Sequence, residues 1–188
     1  MAQIAVDFLL AGNWISRGIG WFGASDWSHC ASVIVGVNPD GTRRERYLDS
    51  RDNVIAGVPP GVQIREIKTE PWIKKRRATL EVSLADYTEW EKNLRAKITD
   101  EYDKNAIRGF LEGESIHTAG RYICSAAAVN SIQHVGRGWI SSALAMNGMQ
   151  HIGYVPFPLV KPAHRISPGE LLLILQTTGF TIGPVIVP

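Results

Sequence analysis

The sequence predicts an α+β fold in which helices pack against an antiparallel sheet. Three observations predict it: β-branched runs separated by turn residues fill the first half, helical periodicity begins near residue 84, and an apolar run returns near the C-terminus. This order of elements is typical of helices packed on one antiparallel sheet. The length of 188 residues is enough for a single domain, 1–188, with a sizeable core.

The first half of the chain predicts a meander of strands. Residues 2–11 are apolar and short, and fit either a strand or a helix. Residues 28–50 predict a hairpin, because two β-branched or alternating runs flank the turn signal Asn-Pro-Asp-Gly at 38–41. Residues 57–67 and 78–82 predict further strands, while the basic run 74–77 fits a solvated loop or a strand start.

The second half changes period. Leu84 to Ile98 follows helical spacing, with Ser83 as the N-cap and Asp86 three residues later. Further helices are predicted over 103–111, 124–133 and 139–147. The turn at 167–169 predicts an apolar strand over 170–175, and residues 171–188 as a whole are typical of buried strands.

Composition limits the compartment and the partners. A net charge of +2 is too small to indicate nucleic acid or an anionic membrane surface. Asp7 interrupts the first apolar run and no basic segment precedes it, so we expect no signal peptide and synthesis in the cytoplasm. We also expect no membrane span, because the sequence has no uninterrupted apolar stretch of about 18 residues. Cys30 and Cys124 are expected to be free thiols in a reducing compartment, although one bridge between them is the alternative.

Cys124 is the candidate nucleophile. The turn residue Gly120 precedes it and an Ala-rich helical run follows it. A thiol in the first turn of a helix lies near the positive end of the helix dipole and near unpaired N–H groups, both of which favour the thiolate. A small, unreactive core cysteine is the competing interpretation.

His29 is the candidate base. It opens the strand 28–37 and shares one face with Ala31, while Cys30 lies on the other face. A histidine at a strand end can lean over a helix N-terminus and hydrogen-bond a thiolate there. An ordinary surface or core histidine is the competing interpretation.

A third group should accept a hydrogen bond from the second ring nitrogen of His29. Asp49 on the partner strand is the candidate, since cross-strand side chains lie about 5 Å apart. A turn-capping role before Ser50 is the alternative for Asp49, and Asp52 and Gln63 are the substitutes for it. No metal or cofactor is predicted, because the other four histidines are scattered and no Cys-x-x-Cys pair or phosphate loop occurs.

Six short motifs occur in a recognisable order along the chain. They are Trp27-Ser28-His29 with Ser32-Val33-Ile34-Val35, the turn Asn38-Pro39-Asp40-Gly41, Leu48-Asp49-Ser50 followed by Gly61-Val62-Gln63-Ile64-Arg65, Tyr102-Asp103 with Ile107-Arg108-Gly109-Phe110, Ile123-Cys124-Ser125, and Ser167-Pro168-Gly169-Glu170-Leu171. Together they resemble the circularly permuted NlpC-like hydrolases of the papain fold, a group that includes YiiX-like proteins and many phage-encoded relatives. The resemblance covers most of the chain, from about residue 27 to 175.

The resemblance implies a permuted papain-like fold, in which a barrel-like antiparallel sheet packs against a helix bundle that carries Cys124. It also implies that His29 and Asp49 complete the catalytic set and that Tyr102 and Ser125 support the oxyanion. The chain departs from the family in two places: Ala126 stands where an acidic residue is usual, and Asp49 stands where Glu is common. An unpermuted assignment would use His151 as the base. It is disfavoured because the Ser-Pro-Gly segment at 167–169 follows both the cysteine and this histidine.

By resemblance, the chain is expected to be a cysteine hydrolase that cleaves an amide bond, with a peptide or isopeptide bond in peptidoglycan as substrate. Phage relatives imply a tail or entry component packaged in a virion, and acyltransferase relatives make a lipid amide or ester an alternative substrate. A non-catalytic virion binding module on the same fold is the competing class. Ala126 favours it, as do aromatic residues that we expect to be exposed, Trp14, Trp21, Phe22 and Trp27.

Overall fold

The structure is a computed structural model, and it describes residues 1–11, 26–38, 40–52, 54, 57–67, 72–104, 121–122, 167–177 and 179–188. These ranges contain both strands and helices, which confirms the α+β class. The strands are β1 Ala2–Leu10, β2 His29–Val37, β3 Arg43–Arg51, β4 Gly61–Glu66, β5 Lys74–Val82, β6 Glu101–Tyr102, β7 Arg121–Tyr122 and β8 Thr181–Ile186. The helices are α1 Leu84–Arg95 and α2 Pro168–Thr177.

Six strands form one sheet in the order β4-β3-β2-β1-β5-β8, and every neighbouring pair is antiparallel. Among the described residues no ladder joins β4 to β8, so the sheet is open and the expected barrel-like closure is wrong. The physical reason is that β8 pairs with the edge of β5 instead of closing onto β4. The short parallel pair β6 and β7 packs against β4.

The antiparallel registers divide β1–β5 into two faces by residue parity. Pairs such as Ala5↔Val33, Val33↔Tyr47 and Tyr47↔Arg65 keep odd-numbered residues together. The even-numbered face, which we call the core face, packs against both helices. Its buried members are Ile4, Val6, Phe8, Cys30, Ile34, Leu48, Val62 and Ala78, covered by Trp90, Leu94, Leu171 and Leu175.

The odd-numbered face, which we call the polar face, carries charged side chains among a smaller apolar cluster. That cluster consists of Ala5, Leu9, Ala31, Val33 and Tyr47. Cys30 lies in the core and His29 on the polar face, as strand alternation predicted. The sheet therefore separates the buried thiol at position 30 from the candidate base.

Two segments for which the sequence allowed two alternatives, 2–11 and 74–77, are strands or begin one. Residues 2–11 form β1, which is central in the sheet because β2 and β5 flank it on both sides. The basic run 74–77 begins β5, so it is a strand start and not a solvated loop. Burial on both faces explains why β1 is almost continuously apolar.

Helix α1 confirms the predicted N-cap. The Ser83 hydroxyl accepts a hydrogen bond from the backbone N–H of Asp86, as a helix N-cap does. The helix buries Trp90 and Leu94 against the sheet. It ends at Arg95 instead of Ile98, because the chain turns there and Thr99 takes a positive φ of 81°.

The predicted strand over 170–175 is wrong, since these residues lie in α2. The cause is a capping box: the Glu170 N–H donates to the Ser167 hydroxyl at 3.2 Å, and the Glu170 carboxylate accepts from the Ser167 N–H at 2.9 Å. Pro168 occupies the first helical position, which suits proline. Leu171 and Leu175 then fall on one helical face and are fully buried.

The end of the chain forms β8, a mostly exposed edge strand and not the buried strand that we expected. No helix within the described ranges is long and apolar enough to cross a bilayer. Several predictions lie outside the described residues: the helices over 124–133 and 139–147, the bundle that would carry the nucleophile, and the helix over 103–111 beyond Lys104.

Candidate active site

His29 begins β2 at the end of the sheet where β3 finishes and β4 starts. It is buried, with 8% of its surface exposed. Its Nε2 lies 2.5 Å from the Oδ2 of Asp49, which is 1% exposed. An ionised carboxylate can only accept, so Nε2 carries the hydrogen and Nδ1 is the ring atom that can exchange a proton with a reacting group.

Asp49 reaches His29 diagonally and not from directly across the sheet. The ladder between β2 and β3 ends at Ser32↔Leu48. Extending the same register places Asp49 opposite Ala31, which lies two residues along β2 from His29. Diagonal neighbours are about 7–8 Å apart at the backbone, a gap that a ring and a carboxylate together can bridge. The two predicted site residues are thus in contact, whereas their catalytic role stays a prediction.

Two guanidinium groups surround the Asp49 carboxylate. Arg65 donates from Nε to Oδ1 at 3.1 Å and from Nη2 to Oδ2 at 2.6 Å. Arg51 donates from Nε to Oδ2 at 3.1 Å. Burial alone would raise the pKa of Asp49, but the charge of Arg51, the hydrogen bond from His29 and the charge of Arg65 hold this pKa well below its ordinary value. The carboxylate is therefore ionised wherever the protein is folded at neutral pH.

The substitutes for the third group do not reach His29. Asp52 is exposed. Gln63 pairs with Asp49 in the register of β3 and β4 and is 1% exposed, and its amide donates to the Pro59 carbonyl at 3.3 Å. The Gln63 carbonyl oxygen meets no partner among the described residues. Among the described residues, Asp49 is consequently the acidic group in contact with the ring.

A second ion-pair cluster lies beside the first on the polar face. The Tyr47 hydroxyl donates to Asp7 at 2.8 Å, and Arg77 donates to both oxygens of Asp7 at 2.7 and 3.0 Å. Arg77 also donates to Glu45 at 2.8 and 3.0 Å. Burial, the charge of Asp7 and the hydrogen bond to it raise the pKa of Tyr47 well above its ordinary value.

The two clusters meet where the Arg65 guanidinium stacks on the Tyr47 ring, 4.8 Å from its centroid. Sequence reasoning missed this network. One signal was available: Asp7 is an isolated charge in an apolar strand, and buried charges need partners. In the sequence, Asp7 indicates on its own only that the first apolar run is interrupted.

Of the remaining predicted site residues, Tyr102 is described by the structure and three are not. Cys124, Ser125 and His151 lie outside the described residues. Tyr102 lies in β6, where it pairs with Tyr122 of β7. The β6–β7 pair packs against β4 near Gly61, where the Val62 N–H donates a hydrogen bond to the Asp100 carbonyl at 2.8 Å. Tyr102 therefore lies at the end of the sheet that also holds His29.

Comparisons with known proteins identify a fold but no family. No protein-family model and no curated protein matches the chain. Among solved structures, the chain is similar to the crystal structure of metalloprotein yiiX from Escherichia coli O157:H7, with 15% sequence identity and a TM-score of 0.56. The match covers 98% of this chain and 97% of that chain. At this identity the likeness shows the fold alone, so the chain has a YiiX-like α+β fold.

Proposed function

We propose that this chain is a cysteine hydrolase that cleaves an amide bond, with Cys124 as nucleophile, His29 as base and Asp49 as the group that orients the base. One observation carries the proposal: a buried histidine donates to a buried carboxylate that two arginines keep ionised. A base held by a third group is the arrangement that activates a weak nucleophile.

The reaction follows from these roles. The Cys124 thiol gives its proton to His29 Nδ1, and the resulting thiolate attacks the carbonyl carbon of the substrate. The carbon–nitrogen bond then breaks as Nδ1 gives that proton to the leaving amine. Water then loses a proton to the same nitrogen and adds to the acyl carbon, and the thiolate leaves. The negative charge of Asp49 favours the protonated ring that forms on the way. Tyr102 and Ser125 are the proposed support for the oxyanion.

Chain connectivity supports the meeting of the nucleophile with the base. Two peptide links separate Tyr122 from Cys124, and they span at most about 7 Å. Tyr122 belongs to β7, and the β6–β7 pair packs against β4 at the end of the sheet that holds His29. The segment that carries the thiol thus leaves the described residues at the end of the sheet that also holds the His29–Asp49 pair.

The proposed substrate is a peptide or isopeptide bond of peptidoglycan, and the proposed setting is a phage tail or entry component of one domain, 1–188. The resemblance to NlpC-like hydrolases and their phage relatives supports both. A lipid amide or ester is the alternative substrate, in which case a second acceptor would replace water in the last step.

The yiiX structure is described as a metalloprotein. Here the residues of the His29–Asp49 pair do not fit a metal site. Among the described residues no three His, Cys, Asp or Glu side chains converge on one point. The Asp49 carboxylate already accepts four hydrogen bonds, three of them from guanidinium groups. A metal cation at Asp49 would have to displace these donors, so the Asp49 carboxylate does not fit the role of a metal ligand.

A non-catalytic binding module is the second candidate function, favoured by Ala126 at the position where relatives carry an acidic residue. One expectation that favoured the binding module, an exposed Trp27, is wrong. Trp27, expected to be exposed, is buried against Phe8 with the ring centroids 6.4 Å apart, and Lys74 covers its ring. Trp14, Trp21 and Phe22 lie outside the described residues.

Thiol reactivity separates the two functions. We expect iodoacetamide near neutral pH to alkylate Cys124 selectively, because an adjacent base and a helix N-terminus both favour the thiolate. Cys30 is the internal control, since it is fully buried on the core face. His29→Ala should abolish the selectivity and His151→Ala should preserve it. Equal inertness of both cysteines would favour the binding module, and the reverse histidine pattern would favour the unpermuted assignment.

Peptidoglycan digestion tests the substrate. Wild type and Cys124→Ala are incubated with purified peptidoglycan, and released muropeptides are measured by mass spectrometry, with Cys30→Ala as the matched cysteine control. We expect release by wild type and by Cys30→Ala and none by Cys124→Ala. Equal release by all three proteins would contradict the proposed hydrolase.

A further inference from the structure

We propose that Arg65 is a positioning residue, whose guanidinium fixes the rotation of the Asp49 carboxylate so that Oδ2 stays against His29. The proposal rests on the proposed function, because it names what holds the proposed base in place. Arg65 is 5% exposed and lies on β4, in the strand next to the one that carries Asp49.

The hydrogen bonds to Asp49 are unequally distributed. His29 and Arg51 each reach Oδ2, at 2.5 and 3.1 Å. Arg65 reaches both oxygens, Oδ1 at 3.1 Å and Oδ2 at 2.6 Å, and among the described residues it alone holds Oδ1. A donor fork that spans both oxygens opposes rotation about the Cβ–Cγ bond, whereas donors that converge on one oxygen do not.

The Tyr47 ring fixes the plane of the Arg65 guanidinium. The guanidinium lies 4.8 Å above the centroid of this ring, and Tyr47 is the neighbour of Arg65 across the strand pair. Tyr47 is fully buried and donates to Asp7 at 2.8 Å, and Arg77 holds Asp7 from β5. The orientation of Arg65 is therefore set by the sheet and not by the carboxylate alone.

Charge and geometry can be separated at this site. Arg51 supplies a second positive charge next to Asp49, through a single hydrogen bond. Among the described residues, the titratable or charged groups that contact Asp49 are His29 from β2, Arg51 from β3 and Arg65 from β4. A lysine at position 65 would keep the positive charge but lose the planar fork, because an ammonium is a point charge. Loss of function in Arg65→Lys would then report on geometry.

The experiment compares wild type, Arg65→Lys and Arg51→Lys. The matched control is Arg95→Lys, because Arg95 donates from Nε and Nη2 to Glu91 at 2.8 and 2.6 Å but lies on the exposed side of α1. The first readout is the proton NMR resonance of the His29 Nε2–H, assigned by its loss in His29→Ala. The second is the pH profile of Cys124 alkylation, followed by peptide mass spectrometry.

We expect Arg65→Lys to broaden or abolish the His29 resonance and to lower the alkylation rate near pH 7 by about 10- to 100-fold. Arg51→Lys should have a smaller effect on both readouts, and Arg95→Lys should match wild type. A folded Arg65→Lys protein with the wild-type resonance and the wild-type profile would overturn the proposal.

Two further outcomes are informative. If wild-type Cys124 is as inert as Cys30 while Arg65→Lys still loses the His29 resonance, the hydrolase fails and the positioning of His29 by Arg65 stands. If Arg65→Lys does not fold, the side-chain Nε–H of Arg65 is followed in wild type by nitrogen-15 NMR. Slow exchange of this proton with solvent supports the proposal, and exchange as fast as that of Arg95 overturns it.

Discussion

Replacing Asp49 with asparagine keeps the size of the side chain and removes its charge. The wild-type carboxylate is fully buried and is paired with Arg65, whose side chain is 2% exposed, and with Arg51, whose side chain is 14% exposed. Removing one partner of a buried ion pair costs about 3–5 kcal/mol, because the remaining charges stay buried without compensation. For a chain of this length, that loss corresponds to a decrease in Tm of about 6–20 °C.

The loss should depend on pH in a defined direction. The pKa of Asp49 is depressed in the folded state, so below about pH 4 the unfolded chain binds one more proton than the folded chain. The contribution of Asp49 to stability is complete above about pH 4 and decreases by about 1.4 kcal/mol per pH unit below it. The stability gap between wild type and Asp49→Asn should therefore narrow on acidification.

Urea unfolding, followed by tryptophan fluorescence at several pH values from 7 to 3, measures this gap. Glu89→Gln is the control, since Glu89 lies on the exposed side of α1 and surface substitutions change stability by at most about 0.5 kcal/mol. A gap that stays constant over this pH range would refute the reasoning. So would a loss below about 1 kcal/mol at pH 7, the value typical of an exposed ion pair.

Two other substitutions test the fold around the site. Tyr47→Phe removes a buried hydrogen bond to Asp7 and should cost about 1.5–3 kcal/mol at pH 7. Because the pKa of Tyr47 is raised in the folded state, the folded chain keeps a proton that the unfolded chain loses above about pH 10. The difference in unfolding free energy between wild type and Tyr47→Phe should therefore shrink above that pH. Urea titrations in which this difference grows with pH would contradict the prediction. Gly61→Ala should destabilise the protein by at least about 1–3 kcal/mol, because Gly61 has a φ of 130° and a Cβ would lie 2.4 Å from the Asp100 carbonyl oxygen. A Gly61→Ala protein with the wild-type Tm would contradict this.

The likeness to the yiiX structure and the site geometry bear on different questions. The structural match extends over 98% of this chain, but at 15% identity it concerns the path of the backbone. The contact between His29 and Asp49 concerns the chemistry that this path makes available. The experiments on Cys124 therefore decide the function independently of the match.

Strand alternation was readable from the sequence alone. It predicted the opposite faces of His29 and Cys30, because side chains on a strand alternate with a period of two whatever the strand packs against. The hairpin of β2 and β3 was also readable, from the turn signal at 38–41 after a β-branched run. The N-cap of α1 at Ser83 was equally readable, since capping depends on residues within one turn. The same kind of local signal, the Ser-Pro-Gly-Glu capping box, was present before α2 and we overlooked it.

Other features depended on which distant strands became neighbours. The open sheet follows from the pairing of β8 with β5, which no local pattern specifies. Asp49 gained its partner Arg65 from a strand 16 positions along the chain, and Asp7 gained Arg77 from 70 positions away. Alternation assigns a residue to a face but not to a lateral neighbour. The sequence alone therefore determined that His29 and Cys30 lie on opposite faces of one strand. Only the tertiary structure decided which charges of the other strands meet Asp49 and Asp7, because these contacts depend on strand order and register.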